Sequence, residues 1–285
     1  MQCRELSILV RAHNDEADIG DTVSAILAQQ CPLPFTVYCC DDNSSDRTGR
    51  IIRSFPEVRV IERPPGDYLP GRTLNHMVRQ CAGQIVVFNN ADAVPQDRHW
   101  LSSLIAPLLA DEADAAYANQ LPRPNARWLV RKDHERAFGD GRVSAKWRFF
   151  FSLASAAVRR EDLLSNPFDE TFRYSEDIEW ARRRPFRIKY VPAARVCHSH
   201  DYTARQLRKR FYGEGYAEAR ICGAAPGLCR TMLSVVAESA RDLLYILRHP
   251  AGWRELPGAP RRRWIQRFAA RRGALDCLHE VSRHP

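Results

Sequence analysis

The first hundred residues alternate short, unbroken apolar runs with segments whose apolar residues recur at helical spacing, and few architectures accept that order. Leu6–Val10, Phe35–Cys40, Val58–Ile61 and Ile85–Phe88 read as strands. Between them fall Ile19, Val23, Ile26 and Leu27 behind the capping candidates Asp15 and Asp18, then a helix through Ile51-Ile52, then one around Thr73–Cys81. A strand that is apolar on both faces has to be covered on both. The expected class is therefore α/β, a mostly parallel sheet flanked by helices.

In such sheets ligands gather beyond the carboxyl ends of the strands, so the residues there decide the chemistry. Arg11-Ala12-His13-Asn14-Asp15-Glu16 follows the first strand, Asp41-Asp42-Asn43-Ser44 the second and Asn89-Asn90-Ala91-Asp92 the fourth. No GxGxxG or GxxxxGK[ST] follows any strand, which removes dinucleotide and P-loop readings. Residues 100–170 are less regular, and Lys146–Val158 is apolar without a readable period. From Thr203 onward the pattern is helical, with segments near Ala204–Tyr212, Leu228–Leu247 and Arg262–Ala270 broken by prolines.

Taken in order, these sequences resemble glycosyltransferase family 2. Leu9-Val10-Arg11-Ala12-His13-Asn14-Asp15-Glu16 is similar to the family's "PTYNEE" start. Asp41-Asp42-Asn43-Ser44-Ser45-Asp46-Arg47-Thr48 is similar to its "DDGSTDGT" turn, and Gly71-Arg72-Thr73-Leu74-Asn75 to its G-x-x-x-N helix start. Val86–Pro95 resembles the "FLDADxxP" metal motif, and Tyr174–Trp180 the "ED" motif. A narrower likeness, to bacterial rhamnosyltransferases that build surface polysaccharides, rests on Pro167-Phe168-Asp169-Glu170, Ser175–Trp180 and His198–Leu207. The resemblance implies a GT-A nucleotide-diphospho-sugar transferase fold over residues 1–205, followed by a basic helical C-terminal region, 206–285, for acceptor or membrane-surface contact.

The implied activity is inverting, metal-dependent sugar transfer, with rhamnose from dTDP-rhamnose preferred, onto a lipid-linked or polysaccharide acceptor. UDP- or GDP-sugars are the alternative donors. A departing diphosphate needs positive charge, which Mg2+ or Mn2+ supplies through hard oxygen ligands. Asp92 suits that ion, and His198 or His200, on one face of a strand expected over Arg195–His200, would complete the site or donate to the diphosphate. Asn90 stands where the family has its first carboxylate, and a nucleotide-sugar-binding protein without catalysis is the competing reading it raises. Asp177 is the candidate base with Glu176 beside it, in the first turn of a helix whose dipole favours the ionised form. Ala12, Asn14, Glu16 and one of Asp41 and Asp42 are expected at the base and ribose, and Arg72 and Asn75 at the diphosphate or base.

The formal net charge of +9 lies entirely in the tail: residues 1–202 balance, while 203–285 carry 16 Lys and Arg against 7 Asp and Glu. That segment suits anionic lipid; nucleic acid is not an expected partner, because few aromatics interleave the basic residues beyond Tyr212, Tyr216, Trp253 and Trp264. No run of 18 apolar residues occurs, and Met1–Glu5 reads as leading straight into a strand. With nine scattered cysteines lacking zinc spacing, a cytoplasmic protein is expected, peripheral at the inner face of the cytoplasmic membrane. Cys39 and Cys40, adjacent on a strand, face opposite ways.

Overall fold

The computed structural model describes residues 5–147 and 149–283, so the reading of Met1–Arg4 lies outside the described residues. The chain divides into two compact units. The first takes in the chain up to Arg123, Glu135–Thr171 and Glu176–His198; the second comprises Pro124–His134, Phe172–Ser175 and the chain from Ser199 onward.

The first unit carries the sheet. Its leading elements are β1 (Leu6–Ala12), α1 (Ile19–Leu27), β2 (Phe35–Asp41), α2 (Thr48–Arg53), β3 (Val58–Val60), α3 (Pro70–Gln80), β4 (Ile85–Asn90), β5 (Val94–Pro95), α4 (Trp100–Leu109) and β6 (Ala115–Leu121). After α5 (Trp128–Ala137), which crosses from one unit into the other, come β7 (Ser155–Arg159), α6 (Arg160–Ser165), α7 (Glu176–Arg183) and β8 (Ile188–Cys197). The strand order is β3-β2-β1-β4-β7-β6-β8-β5. β1, β2, β3 and β4 pair in parallel, as do β6 and β8, whereas β7 runs antiparallel to both its neighbours and β5 to β8. The result is a GT-A-like mixed sheet.

Alternation along the strands makes two cores. Leu6, Ile8 and Val10 of β1, with Ile85 and Val87 of β4, pack with Ile19, Val23 and Ile26 of α1 and Trp100, Leu101, Leu104 and Leu108 of α4. Leu9, Val86 and Phe88 point the other way, into Leu74, Met77 and Val78 of α3, Leu163 of α6 and Trp180 of α7. Cys39 belongs to the first core and Cys40 to the second, both as free thiols that burial pushes up to about 12. Burial of the cysteines is not uniform, since Cys222 and Cys229 are exposed. The two buried tryptophans keep their N–H groups bonded, Trp100 to the Ser155 hydroxyl (3.0 Å) and Trp180 to the Asn166 carbonyl (2.7 Å).

The ambiguous stretch Lys146–Val158 resolves into a strand only at its end. Chain that is apolar on every side fits either element, and here pairing of β7 with β4 and β6 decides. The second unit is helical: α8 (Ala204–Cys222), α9 (Leu228–Arg248) and α10 (Ala259–Arg283), each longer than its sequence signal. Thr203 and Gln206 form a capping box that starts α8. α8 and α10 cross closely because Gly215 and Gly273 lack side chains; a Cβ there would stand 2.1 Å from the Ala270 carbonyl oxygen and 2.0 Å from that of Tyr212. None of the described helices is long and apolar enough to cross a membrane.

Candidate active site

The parallel pairing of β1 with β2 and β4 brings three strand-end motifs together, with Arg11 opposite both Cys40 and Asn90, and Ala12 opposite Asp41. The loops after β1 and β2 are stitched to one another. His13 Nδ1 donates to the Asp42 carbonyl (2.7 Å), the Asn14 N–H to Ser44 Oγ (2.9 Å), and Asn14 Oδ1 accepts from the Ser45 N–H (2.8 Å). Glu16 accepts from the Arg47 N–H (2.9 Å) and Nε (3.1 Å). Asn14 (φ 57°) and Asn43 (φ 52°) take the left-handed conformation that asparagine tolerates. Asn14 and Glu16 therefore hold the rim itself, a role that sequence reasoning had not given them.

The structure separates the two aspartates. Asp41 Oδ1 accepts from the Ser44 N–H (3.2 Å) and hydroxyl (2.5 Å), closing an Asx turn, while the Asp42 carboxylate faces Arg63 at 3.4 Å. The G-x-x-x-N motif is likewise a docking face. A Cβ on Gly71 would stand 2.6 Å from the Asp169 carbonyl oxygen. One turn on, buried Asn75 donates to the Phe168 carbonyl (2.9 Å) and Glu170 Oε1 (3.0 Å), and accepts from the Phe168 N–H (2.9 Å). Both ends of its carboxamide are engaged, so Asn75 seats residues 168–170 instead of reaching toward a diphosphate. Arg72, on the same helix and half-exposed, lies 3.8 Å from Glu170.

Beyond β4 the chain turns sharply. Asn89 donates to the carbonyls of Asn90 (3.0 Å) and Ala93 (2.7 Å), and the Asn90 N–H reaches the Ala154 carbonyl (2.9 Å). This turn places Asp92, 8% exposed, with Oδ1 3.5 Å from His198 Nε2 and Oδ2 3.8 Å from Arg123. Arg123 also grips Asp18 through two bonds (2.7 and 2.9 Å), so Asp18 serves this site and its side chain does not cap α1. Asp15 stands close enough that burial, together with the like charges of Asp92 and Asp18, raises it to about 6 despite a bond from the His13 N–H.

His198 is oriented from behind. Its Nδ1 bonds Gln120 Oε1 (2.8 Å), and Gln120 Nε2 bonds Ser152 Oγ (2.8 Å). An amide oxygen only accepts, so the proton of the neutral ring sits on Nδ1 and the Nε2 lone pair faces Asp92. A carboxylate oxygen and an imidazole nitrogen at this separation fit one divalent cation with ligand distances of about 2.1 Å. The strand expected through His200 ends at Cys197, because β5 and β6 supply pairing partners only that far. Alternation therefore does not place the two histidines; His198 remains tied to β6 by its N–H bond to Leu121 (2.9 Å), and His200 falls in the second unit.

Glu176 and Asp177 open α7, directly after Ser175, which takes a strained φ of 59°. Glu176 is buried and pairs with Arg11 of β1 at 3.3 Å. Asp177 accepts from its neighbour Ile178 N–H (2.9 Å) and from the Leu153 N–H (3.4 Å). Burial, helped by the adjacent Glu176 charge, raises Asp177 to about 7, overriding these bonds and Arg11. The expectation that the helix terminus keeps it ionised is thus corrected: desolvation outweighs the dipole. Residues 152–154 form a hub, since Ser152 backs Gln120, Leu153 meets Asp177 and Ala154 holds Asn90. Sequence reasoning missed this hub along with Gln120 and Arg123, which lie in none of the motifs, and gave Asn89 no role of its own although it stands in the Val86–Pro95 motif.

The family model for Glycosyl transferase family 2 matches residues 7–167. The chain belongs to glycosyltransferase family 2. Among curated family relatives it is similar to an O-antigen chain rhamnosyltransferase of Salmonella anatum, 27% identical over 207 residues that cover 67% of this chain and 65% of the relative, just under two thirds of its length. It is also similar to an O-antigen chain rhamnosyltransferase of Salmonella typhimurium, 23% identical over 75% of this chain and 73% of that one. Among solved structures, a mannosyltransferase from Pyrobaculum calidifontis in complex with GDP-Man and Mn2+ superposes with a TM-score of 0.67 at 18% identity, covering 98% of this chain and 88% of its own. Glucosyl-3-phosphoglycerate synthase from Mycobacterium tuberculosis, in complex with Mn2+, UDP and phosphoglyceric acid, gives 0.59 at 20% identity, over 79% and 80%. At these identities the structural likeness concerns the fold alone.

Proposed function

We propose that this family 2 chain transfers a sugar, with inversion, from a nucleotide-sugar donor to a glycan acceptor. The observation that carries the reading is the Asp92–His198 pair at the ends of the parallel strands, with Asp177 raised to about 7 in the same unit. The acceptor hydroxyl attacks the anomeric carbon on the face opposite the diphosphate. The new C–O bond forms as the old one breaks, the nucleoside diphosphate leaves with the bonding pair, and the hydroxyl proton passes to the Asp177 carboxylate. A carboxylate with a pKa near 7 is about half ionised at neutral pH, and that fraction is basic enough to take the proton. Glu176, bonded to Arg11, positions the start of α7.

Mg2+ or Mn2+ held by Asp92 and His198 would balance the charge on the leaving diphosphate. Asn90 contributes no charge, but Asp15 adds a carboxylate near Asp92, which favours catalysis over binding alone. Asp42, whose carboxylate is not taken by the turn, is the acceptor for a nucleobase imide N–H, while Ala12, Asn14, Glu16 and Asp41 shape the rim, and Arg72 meets the diphosphate. The likeness to O-antigen rhamnosyltransferases supports dTDP-rhamnose as donor and a lipid-linked or polysaccharide acceptor. Such an acceptor places the chain in the cytoplasm at the inner membrane face. There the C-terminal region, 206–285, meets the acceptor or the lipid surface, each arginine near anionic headgroups contributing about 1 kcal/mol.

Thermal melting against dTDP, UDP and GDP with Mn2+ tests the donor. A nucleotide at one hundred times its Kd stabilises the fold by about 2.7 kcal/mol. The largest shift is expected with dTDP; a larger shift with GDP or UDP, as bound in the structural relatives, would overturn the rhamnose assignment and keep the chemistry.

A further inference from the structure

Helix α9 is built inside out. Its carboxylates face inward: Asp242 is fully buried, bonded to Lys132 and held by Arg263 through two bonds of 2.7 Å. Glu238 is buried against Arg241 (2.6 Å), Arg267 (3.4 Å) and Lys132 (3.8 Å). The apolar residues face solvent instead. Leu233, Val236 and Leu247 are 69%, 67% and 67% exposed, and Met232, Leu243 and Leu244 are exposed with them. A helix on a water-soluble surface normally turns the other way.

At 3.6 residues per turn these six side chains share one stripe. Arg230, Arg241 and Arg248, separated by three and then two turns, fall on a single line along its flank, and all three are exposed. Trp253, 62% exposed, follows in the short turn Pro250–Gly258. Four of the tail's five other acids are engaged, Glu214 with Arg210, Asp276 with Arg272, Glu280 with Tyr216 and Glu255 with the N–H groups of Trp128 and Leu129, and the fifth, Glu218, belongs to α8 and not to α9. Arginine thus sets the charge around the stripe.

We propose that α9 lies in the plane of an anionic lipid surface, with its apolar stripe in the headgroup and acyl boundary and its arginine row on the phosphates. The inference rests on the membrane-surface reading above and names the element responsible, without requiring donor or acceptor. Charge complementarity selects lipid over a second copy of the chain, which would bring like rows of arginine together. Size points the same way. A helix of 21 residues is about 31 Å long. A stripe about 10 Å wide on it offers on the order of 300 Å2, against about 800 Å2 per partner in a stable dimer.

Flotation of the full chain with phosphatidylcholine vesicles, with and without phosphatidylglycerol, tests this. The wild type is expected to bind the anionic vesicles. Leu233→Gln, Val236→Gln and Leu247→Gln combined are expected to weaken that binding by about tenfold or more while the melting temperature holds, since these side chains already face solvent. Arg230→Gln and Arg248→Gln combined, with Arg241 kept because it pairs with buried Glu238, are expected to weaken it and to flatten its salt dependence. If the apolar triple variant binds as the wild type does and only the arginine variant fails, the stripe is not the contact, although the membrane reading stands. If the wild type binds neither vesicle, both fall. A wild-type dimer in sedimentation that the apolar variant dissolves would give the stripe to a second copy and overturn the proposal.

Discussion

At His198 the bond from Nδ1 to Gln120 fixes which nitrogen carries the proton, and that choice leaves the Nε2 lone pair facing Asp92, as the proposed cation site requires. Gln120→Ala should therefore weaken Mn2+ binding by about 10–100-fold in calorimetry with little change in folding, as loss of an orienting partner does elsewhere. Unchanged affinity would show that the ring needs no such support. Asp177 makes the second residue-scale case. Only its carboxylate accepts a proton, so the transfer rate should fall as pH drops through about 7, and Asp177→Asn should lose about 100-fold to 10,000-fold at neutral pH. The sign for stability is opposite. The folded-state value lies above the unfolded one, so this group's contribution is fully present below about pH 4 and is lost as pH rises through about 7. Asp177→Asn should accordingly raise the melting temperature at pH 8 and leave it nearly unchanged at pH 4.

Elements decide which of the motif residues face the chemistry. The strand-end motifs after β1, β2 and β4 were legible because parallel pairing forces them to one end of the sheet. Their division of labour was not. Spacing alone could not tell that Asn75 and Gly71 dock α3 on residues 168–170, or that Asp41 holds a turn while Asp42 does not, since both outcomes suit the same residue types. Asn75→Ala should cost about 1–3 kcal/mol in urea unfolding, because the buried N–H and carbonyl of Phe168 lose their partner. A smaller loss would mean that the segment is held by other contacts. The hub at 152–154 escaped sequence reasoning for a different reason. It sits in apolar chain with no period, and its contributions come from a hydroxyl and two backbone groups that any sequence could supply. β8 also stops sooner than the strand expected over Arg195–His200, where β5 and β6 stop pairing with it.

For the whole molecule, the unequal distribution of charge marks out the tail, but the helical pattern of α9 is silent about which face turns inward. Lys132, Arg263 and Arg267, drawn from elsewhere in the chain, explain why its acids are buried and its leucines exposed. The proposal for the first unit is simpler: a cation held by Asp92 and His198 would take up charge from a departing diphosphate, with Asp177 as the base for the acceptor's proton. The most direct measurement is sugar transfer from dTDP-rhamnose by chelator-treated protein, before and after Mn2+ is restored, in the wild type and in Asp92→Ala. The account predicts activity that vanishes on chelation and returns with Mn2+ in the wild type, and that stays at least about 100-fold lower in the variant. Undiminished transfer by the metal-free wild type, or a variant that matches it, would contradict the account.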